Sequence, residues 1–309
     1  MRVFVTGASG WIGSAVVPEL FDAGHQVVGL ARSDASAAAL EAAGAEVVHG
    51  SLDDLDVLLS AAEDSDGVIH LAFHHEVAFS GDFLAAAQTD RAAIETFGEA
   101  LAGTDRPFLI ASGVLGLPPG QTSTENDGRE TLPGMPEGPA LRHANAALTL
   151  SLADRGIRSS VVRLPPTCHG DGDNGFIKIL VETARAKGVA AHVRDGANHW
   201  PATHRLDVAR AFRLGLEKAP AGSVLHAIDE EGVALKDVAE AIAHKLGVSV
   251  ASITPEQAFE HFGFLGAFLG VDTICSSTWT RETLGWEPTH QGLLADLRED
   301  HYFKVPAVA

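Results

Sequence analysis

At 309 residues, 46% hydrophobic and 20% charged, the chain has room for one large or two smaller packed domains. Its 22 Lys+Arg against 41 Asp+Glu leave a net charge of −19, a field that repels nucleic acid and anionic membranes. The longest strongly apolar stretch, Phe262 to Val271, falls far short of the roughly 20 residues a membrane-spanning helix needs. Cys168 and Cys275 are the only cysteines, too few for a disulfide framework, and the first ten residues already read as strand and phosphate loop. A reducing cytoplasm is therefore the expected setting.

The first element is an apolar strand, Val3 to Thr6, running into Gly7, Gly10 and Gly13 and then a helix from Ser14 to Phe21. A G-x-x-G-x-x-G triplet between strand and helix wraps a pyrophosphate. Gly7 permits the tight turn, Gly10 lets backbone approach the phosphates, and Gly13 lets helix and strand pack closely. Thr6, Ser9, Trp11 and Ile12 belong to the same expected nucleotide loop. The second strand, Gln26 to Leu30, ends where an acidic residue would hold the ribose diol of NAD. The chain reads Ala31-Arg32-Ser33-Asp34 there. Arg32 can stack on adenine and pair with a 2′-phosphate, and Ser33 can add a hydrogen bond, so the expected cofactor is NADP(H). The alternative is a solvated arginine beside the cap of the next helix.

Strands and helices then alternate: helix Ala35–Ala43, strand Glu46–His49, helix Asp53–Ala62, strand Gly67–Ala72, helix Phe83–Ala102 and strand Pro107–Ala111. A Gly/Pro-rich connection, Gly113 to Pro139, leads to a helix Leu141–Arg155 and a strand Ser159–Leu164. This order predicts an α/β fold, a Rossmann doubly wound parallel sheet. After Pro165-Pro166 the rhythm changes to a turn-rich run, Gly170 to Gly175, and short strands such as Ser223–Ile228. The expected division is residues 1–167 with 205–228 as the nucleotide-binding domain. Residues 168–204 with 229–309 would form a smaller C-terminal substrate domain. Ligands bind at the carboxyl ends of such strands, which places Leu71, Ala72, Phe73, Ser112, Pro165 and Thr167 beside the nucleotide.

These landmarks resemble the extended short-chain dehydrogenase/reductase superfamily, of the NAD(P)-dependent epimerase/dehydratase type. The matching pieces are the Thr6-Gly7 loop, His70-Leu71-Ala72, Ser112, Arg163-Leu164-Pro165-Pro166, His204-Arg205-Leu206-Asp207-Val208-Ala209 and Leu284-Gly285-Trp286-Glu287-Pro288. The resemblance implies hydride chemistry on a nicotinamide cofactor, with Ser112 as the active-site serine. Ser51 and Leu52 stand where the superfamily often holds adenine with an aspartate. The catalytic Tyr-x-x-x-Lys pair is missing: the single tyrosine is Tyr302, and Arg142 falls in or beside the lysine slot. The chain thus resembles an atypical branch.

Histidine is the natural substitute for a lost acid, since its pKa near 6.5 lets it exchange protons at neutral pH. His75, after the fourth strand and next to His74 and Glu76, is the first candidate, and His143 on the pair's helix the second. His169, His199 and His204 lie on segments bordering the substrate in the resembled family. No metal is expected, because the histidines lack ligand spacing. Cys168 reads as a small core residue. Phe264 and Phe268 share a helical face that either packs the small domain or walls a substrate. Three readings follow: an NADPH-dependent reductase of a small apolar or aromatic carbonyl, imine or activated alkene; a non-catalytic NADP(H) sensor or scaffold; and a nucleotide-sugar epimerase or dehydratase. A homodimer through the Phe83–Ala102 and Leu141–Arg155 helices is a further expectation.

Overall fold

The computed structural model describes residues 1–131 and 134–304; the last five residues of the expected small domain lie outside them. Its first half runs β1 (Arg2–Thr6), α1 (Gly13–Asp22), β2 (Gln26–Ala31), α2 (Asp34–Ala42), β3 (Glu46–His49), α3 (Leu55–Glu63) and β4 (Gly67–His70). It continues through α4 (His75–Phe79), α5 (Phe83–Leu101), β5 (Pro107–Gly113), β6 (Thr122–Ser123), α6 (Glu137–Ser151) and β7 (Arg158–Leu164). The second half holds β8 (Thr167–His169), α7 (Phe176–Lys187), β9 (Val189–Val193), β10 (His199–His204), α8 (Arg205–Lys218) and β11 (Ser223–His226). Then come β12 (Glu230–Ala234), α9 (Leu235–Leu246), β13 (Ser249–Ile253), α10 (Pro255–Phe262), β14 (Ile274–Cys275), α11 (Thr278–Leu284) and α12 (Leu293–Asp296).

Seven strands form one parallel sheet in the order β3-β2-β1-β4-β5-β7-β11. Chain direction across the sheet reverses between β1 and β4, which opens a crevice at their carboxyl ends. The central strands are apolar without alternation because helices cover both faces: Val3, Phe4, Val5, Val68, Ile69, Phe108 and Leu109 are fully buried. One face packs on α1 and α8 through Val16, Leu20, Val208 and Phe212; the other packs on α3 and α5 through Leu58, Ile94 and Phe97. A separate core forms around Trp200, with Ile177 and Val181 of α7, Val238 and Ile242 of α9, and Leu265. Phe264, packed on this core, stacks on Phe79 of α4, which follows β4.

Two elements begin where the sequence reading did not place them. Helix α6 starts at Glu137, four residues before the expected Leu141, because Pro139 lies in the first turn, where its missing N–H leaves no bond unmade. His75, expected in a loop, opens the five-residue α4. Strand β4 stops at His70 instead of Ala72, and Leu71 N–H donates to Thr6 O at 3.2 Å as the chain turns away.

The sheet's outer strand carries a titratable lock. His226 is fully buried; its Nδ1 pairs with Ser276 O at 2.7 Å and its Nε2 faces Arg163 Nη1 at 3.4 Å. Nδ1 must carry the proton to reach a carbonyl, so Nε2 accepts from the guanidinium. Burial holds the imidazole down to about 4, and the Arg163 cation adds to that depression. The unfolded chain, at about 6.5, takes up the proton first, so stability is present above 6.5 and falls as pH drops toward 4. His204, also held at about 4 by burial and by His169 and His290, acts in the same direction. The melting temperature is expected to fall between pH 6.5 and 4, less steeply in His226→Gln, whose amide makes both hydrogen bonds without titrating. Equal slopes in differential scanning calorimetry would refute this lock.

Candidate active site

The glycine loop is built as a cradle. A Cβ on Gly7, whose φ is +67°, would lie 2.7 Å from Ala72 N, and one on Gly13 would lie 2.1 Å from Gly7 O, so backbone occupies both places. Gly10 and Ser9 are exposed on the open side, and no side chain caps α1. Ser14, Ala15 and Val16 N–H already bond the Gly10 and Ile12 carbonyls, so the N–H groups of Ile12 and Gly13 are the ones left for an anion. Arg32 extends into solvent beyond β2, its guanidinium 3.6 Å from Glu76. This cradle and this cation fit a dinucleotide.

Other expected contacts have local duties. Ser33 caps α2, its Oγ accepting Ser36 N–H at 3.2 Å. Ser51 Oγ donates to Asp54 Oδ2 at 2.8 Å and accepts Asp53 N–H, while Leu52 is buried with Leu30 and Leu58. Trp11 Nε1 donates to Cys168 O at 3.0 Å, and Arg205 covers its ring at 4.3 Å, tying the glycine loop to β8. Ile12 packs on the core beside α1, Pro165 is buried, and Thr167 Oγ1 donates to Pro201 O.

Between the cradle and α6 runs a buried polar chain. Ala72 N–H donates to Thr6 Oγ1 at 3.2 Å, and Thr6 Oγ1 meets His70 Nδ1 at 2.7 Å. His70 Nε2 meets Asp90 Oδ1 at 3.2 Å, and Asn145 Nδ2 donates to Asp90 Oδ2 at 2.7 Å. Arg142 Nη1 contacts the same Asp90 carboxylate, and Arg142 Nη2 donates to Ala111 O at 2.8 Å. A carboxylate only accepts, so His70 Nε2 carries a proton, its Nδ1 accepts, and Thr6 donates to it. Every link then has one donor and one acceptor. Burial would raise the Asp90 carboxyl, but Arg142 and His70 outweigh it and hold it far below the ordinary carboxylate range.

That chain fixes Arg142. Ala111 precedes Ser112, so the guanidinium lies beside the half-buried serine at the end of β5, with Phe73 against its face at 4.4 Å. Ser112, Arg142 and Phe73 thus come together. His75 joins them on one side, its ring 5.2 Å from Phe73 and 5.7 Å from Phe79. His75 is itself exposed, yet the groups packed around its ring and the Arg142 cation hold its pKa below the usual value. His143, next on α6, points elsewhere: its Nδ1 is 3.4 Å from Thr131 Oγ1, and burial lowers its pKa too. Both candidate acids are therefore mostly neutral at pH 7.

Tyr302 is far from this place in function, fully buried, donating to Asp173 Oδ2 at 2.8 Å and accepting Gly170 N–H. Cys168 is pushed well above the thiol range by burial. His169 pairs with Asp296 at 2.9 Å, and His199 with Asp272 at 3.1 Å. His204, Asp207 and His290 cluster, but the two rings stack at 4.6 Å and 11°, so their in-plane lone pairs do not converge on one ion. Asp207 is occupied by the N–H groups of Thr289 and His290.

Sequence reasoning missed Asp90, His70 as a link, and Asn145. A signal existed: Asp90 falls on the apolar stripe Ala86, Ala87, Ala93, Ile94, Phe97 of α5, all buried, and a carboxylate on such a stripe needs a partner.

The fold and cradle define an NAD(P)-dependent oxidoreductase of the Rossmann type. The model of the NAD dependent epimerase/dehydratase family matches residues 3–227, and the chain belongs to that family. It is 45% identical over 304 residues to an uncharacterized protein of Schizosaccharomyces pombe, covering 98% of this chain and 100% of that one. A farnesyl-dihydroquinoline-oxide ketoreductase of Stigmatella aurantiaca is 26% identical, covering 87% of this chain and 80% of its own. Among solved structures, dTDP-glucose 4,6-dehydratase DesIV from Streptomyces venezuelae, with NAD bound, superposes with TM-score 0.76 at 20% identity over 96% of each chain.

Removing the Asp90 charge leaves the Arg142 cation without its partner. Asp90→Asn is expected to cost about 3 kcal/mol in urea denaturation, the lower end for a buried pair because Arg142 keeps an edge in water. The neutral double variant Asp90→Asn/Arg142→Met should recover most of it; no recovery would show that the pair is not the source of the loss.

Proposed function

We propose that this protein is an NADPH-dependent reductase of a small carbonyl, imine or activated alkene with apolar or aromatic character. The observation that carries the reading is Arg142 held on Ala111 O beside Ser112, at the end of a sheet whose glycine loop cradles a dinucleotide. When bound, the cofactor supplies a hydride. The chain's residues do the rest. The glycine loop and the N-terminus of α1 hold the pyrophosphate, and Arg32 pairs with the 2′-phosphate. Ser33 supports that site by capping α2 and keeping Arg32 at its tip. Arg142 offers remaining N–H groups to the nicotinamide ribose, and Ser112 donates a hydrogen bond to the acceptor. His75, or water, delivers the proton.

The sensor reading draws on the lack of a tyrosine acid. The epimerase reading ranks behind it, because it depends most directly on that acid. Two free cysteines fit a reducing cytoplasm, and the charge of −19 disfavours nucleic acid. No helix among the described residues is long and apolar enough to cross a membrane. A homodimer through α5 and α6 is proposed on their alanine-rich faces and is checked by light scattering, where a monomer at micromolar concentration rejects it.

Arg32→Ala should weaken NADPH by about 1.5–3 kcal/mol, the size of a charge-assisted bond, and leave NADH nearly unchanged. Calorimetric titration of both nucleotides checks this, and equal wild-type affinities would overturn the NADPH preference. Ser112→Ala should lower kcat by roughly a hundredfold, as for loss of one preorganised donor, with NADPH affinity kept. Tight NADPH binding without reduction of any ketone, imine or enone would give the sensor reading the lead.

A further inference from the structure

We propose that the acceptor is a planar conjugated enone, bound against Phe73, Phe79 and Phe264, whose carbon–carbon double bond takes the hydride. The inference rests on the reductase reading and deepens it.

The first argument is charge. Reduction of an isolated ketone puts a full negative charge on one oxygen, which needs a nearby cation or acid. Of the cations beside Ser112, Arg142 has its charge met by the buried Asp90 carboxylate, and Arg163, paired with Ser112 across β5 and β7, spends its guanidinium on Asp127 O and Gly128 O. The only tyrosine is spent on Asp173. Ser112 offers a hydrogen bond but no charge. An enone is less demanding, because its charge spreads over the enolate and the oxygen lies away from the carbon that receives the hydride.

The second argument is shape. A series of neighbouring rings, one pair of them edge to face, runs from Arg142 to Phe264. The guanidinium lies 4.4 Å from the Phe73 ring, Phe73 is 5.2 Å from His75, and His75 is 5.7 Å from Phe79. Phe79 of α4 then stacks on Phe264 of the small domain at 4.6 Å and 25°. The stack is open on one side: Phe79 is 41% exposed, while Phe264 rests on the second core. Helix α4 has five residues and ends before Gly81, whose φ of +116° and open surroundings suit a hinge. Parting the two rings admits a flat π-system between them and exchanges one ring contact for two.

The chemistry balances. The dihydronicotinamide C–H bond breaks and its hydrogen and electron pair form a C–H bond at the β-carbon. The alkene π pair becomes the double bond between the α-carbon and the carbonyl carbon, and the carbonyl π pair moves to the oxygen, which accepts a hydrogen bond from Ser112. Water then protonates the α-carbon. One NADPH and one proton are consumed per saturated ketone formed.

Benzalacetone and benzylacetone carry the same ring and ketone and differ in the double bond. With NADPH, benzalacetone should be consumed with at least tenfold higher kcat/KM and give benzylacetone, not the unsaturated alcohol. Phe264→Ala and Phe79→Ala should each lower that kcat/KM roughly five- to tenfold, the value of an aromatic pair, and leave NADPH affinity within twofold. Benzalacetone binding to the NADP⁺ complex, read by calorimetry, should weaken in parallel. Equal rates on the two ketones, an alcohol product, or variants that change nothing would overturn the proposal. If neither ketone is consumed although benzalacetone binds and Phe264→Ala weakens it, the reductase reading fails while the aromatic subsite stands. If benzalacetone does not bind, the subsite fails.

Discussion

The Asp90 carboxylate organises the centre of this protein. It is fully buried and meets three groups from two elements: His70 at the end of β4, and Arg142 and Asn145 on α6. A lone carboxylate in such a place would be costly to ionise. With a guanidinium, an imidazole N–H and an amide N–H around it, the ionised form is the stable one. The register of α5 against α6 follows, because Asn145 also donates to Ala87 O. The position of Arg142 beside Ser112 follows as well. Through His70 and Thr6 the same network reaches the residue that begins the glycine loop. The nucleotide cradle and the serine are thus parts of one hydrogen-bonded body.

Much of this was legible along the chain because its causes are local. Gly7 and Gly13 must be glycine, since neighbouring backbone stands where a Cβ would go, and their spacing between strand and helix announces that geometry. The parallel sheet follows from apolar runs separated by helical segments. Arg32 sits at the strand tip its position in the sequence indicates, with Glu76 as its neighbour. His204 was likewise recognisable as a helix start, and it caps α8 through Leu206 N–H.

The rest depended on partners far away in sequence. His70 and Asp90 are 20 residues apart, and Asp90 and Asn145 are 55, so no spacing rule joins them. Ser33 and Ser51 looked free for a ligand, yet each hydroxyl serves the helix that follows it. Short polar side chains at loop–helix junctions commonly bond the backbone in this way. The early start of α6 shows the opposite error, with Pro139 taken as an end of the connection when it sits inside the first turn. Tyr302 was set aside by position alone. The structure supplies the reason for its presence: it seats the Gly170–Asp173 loop on the second core.

An arginine tied to an aspartate limits what the centre can do. A free ammonium lowers the pKa of a neighbouring phenol; a guanidinium neutralised by a carboxylate and covered by Phe73 has little field to spare, and there is no phenol to act on. What survives is position. Arg142 has a planar fork with N–H groups beyond those used by Asp90 and Ala111, and it sits over Phe73 with part of the side chain still exposed. The electrostatic work of the pair is therefore exchanged for rigidity and an apolar, aromatic wall. Such a centre favours reactions whose charge disperses within the substrate, because the protein has committed its own charges to holding itself together.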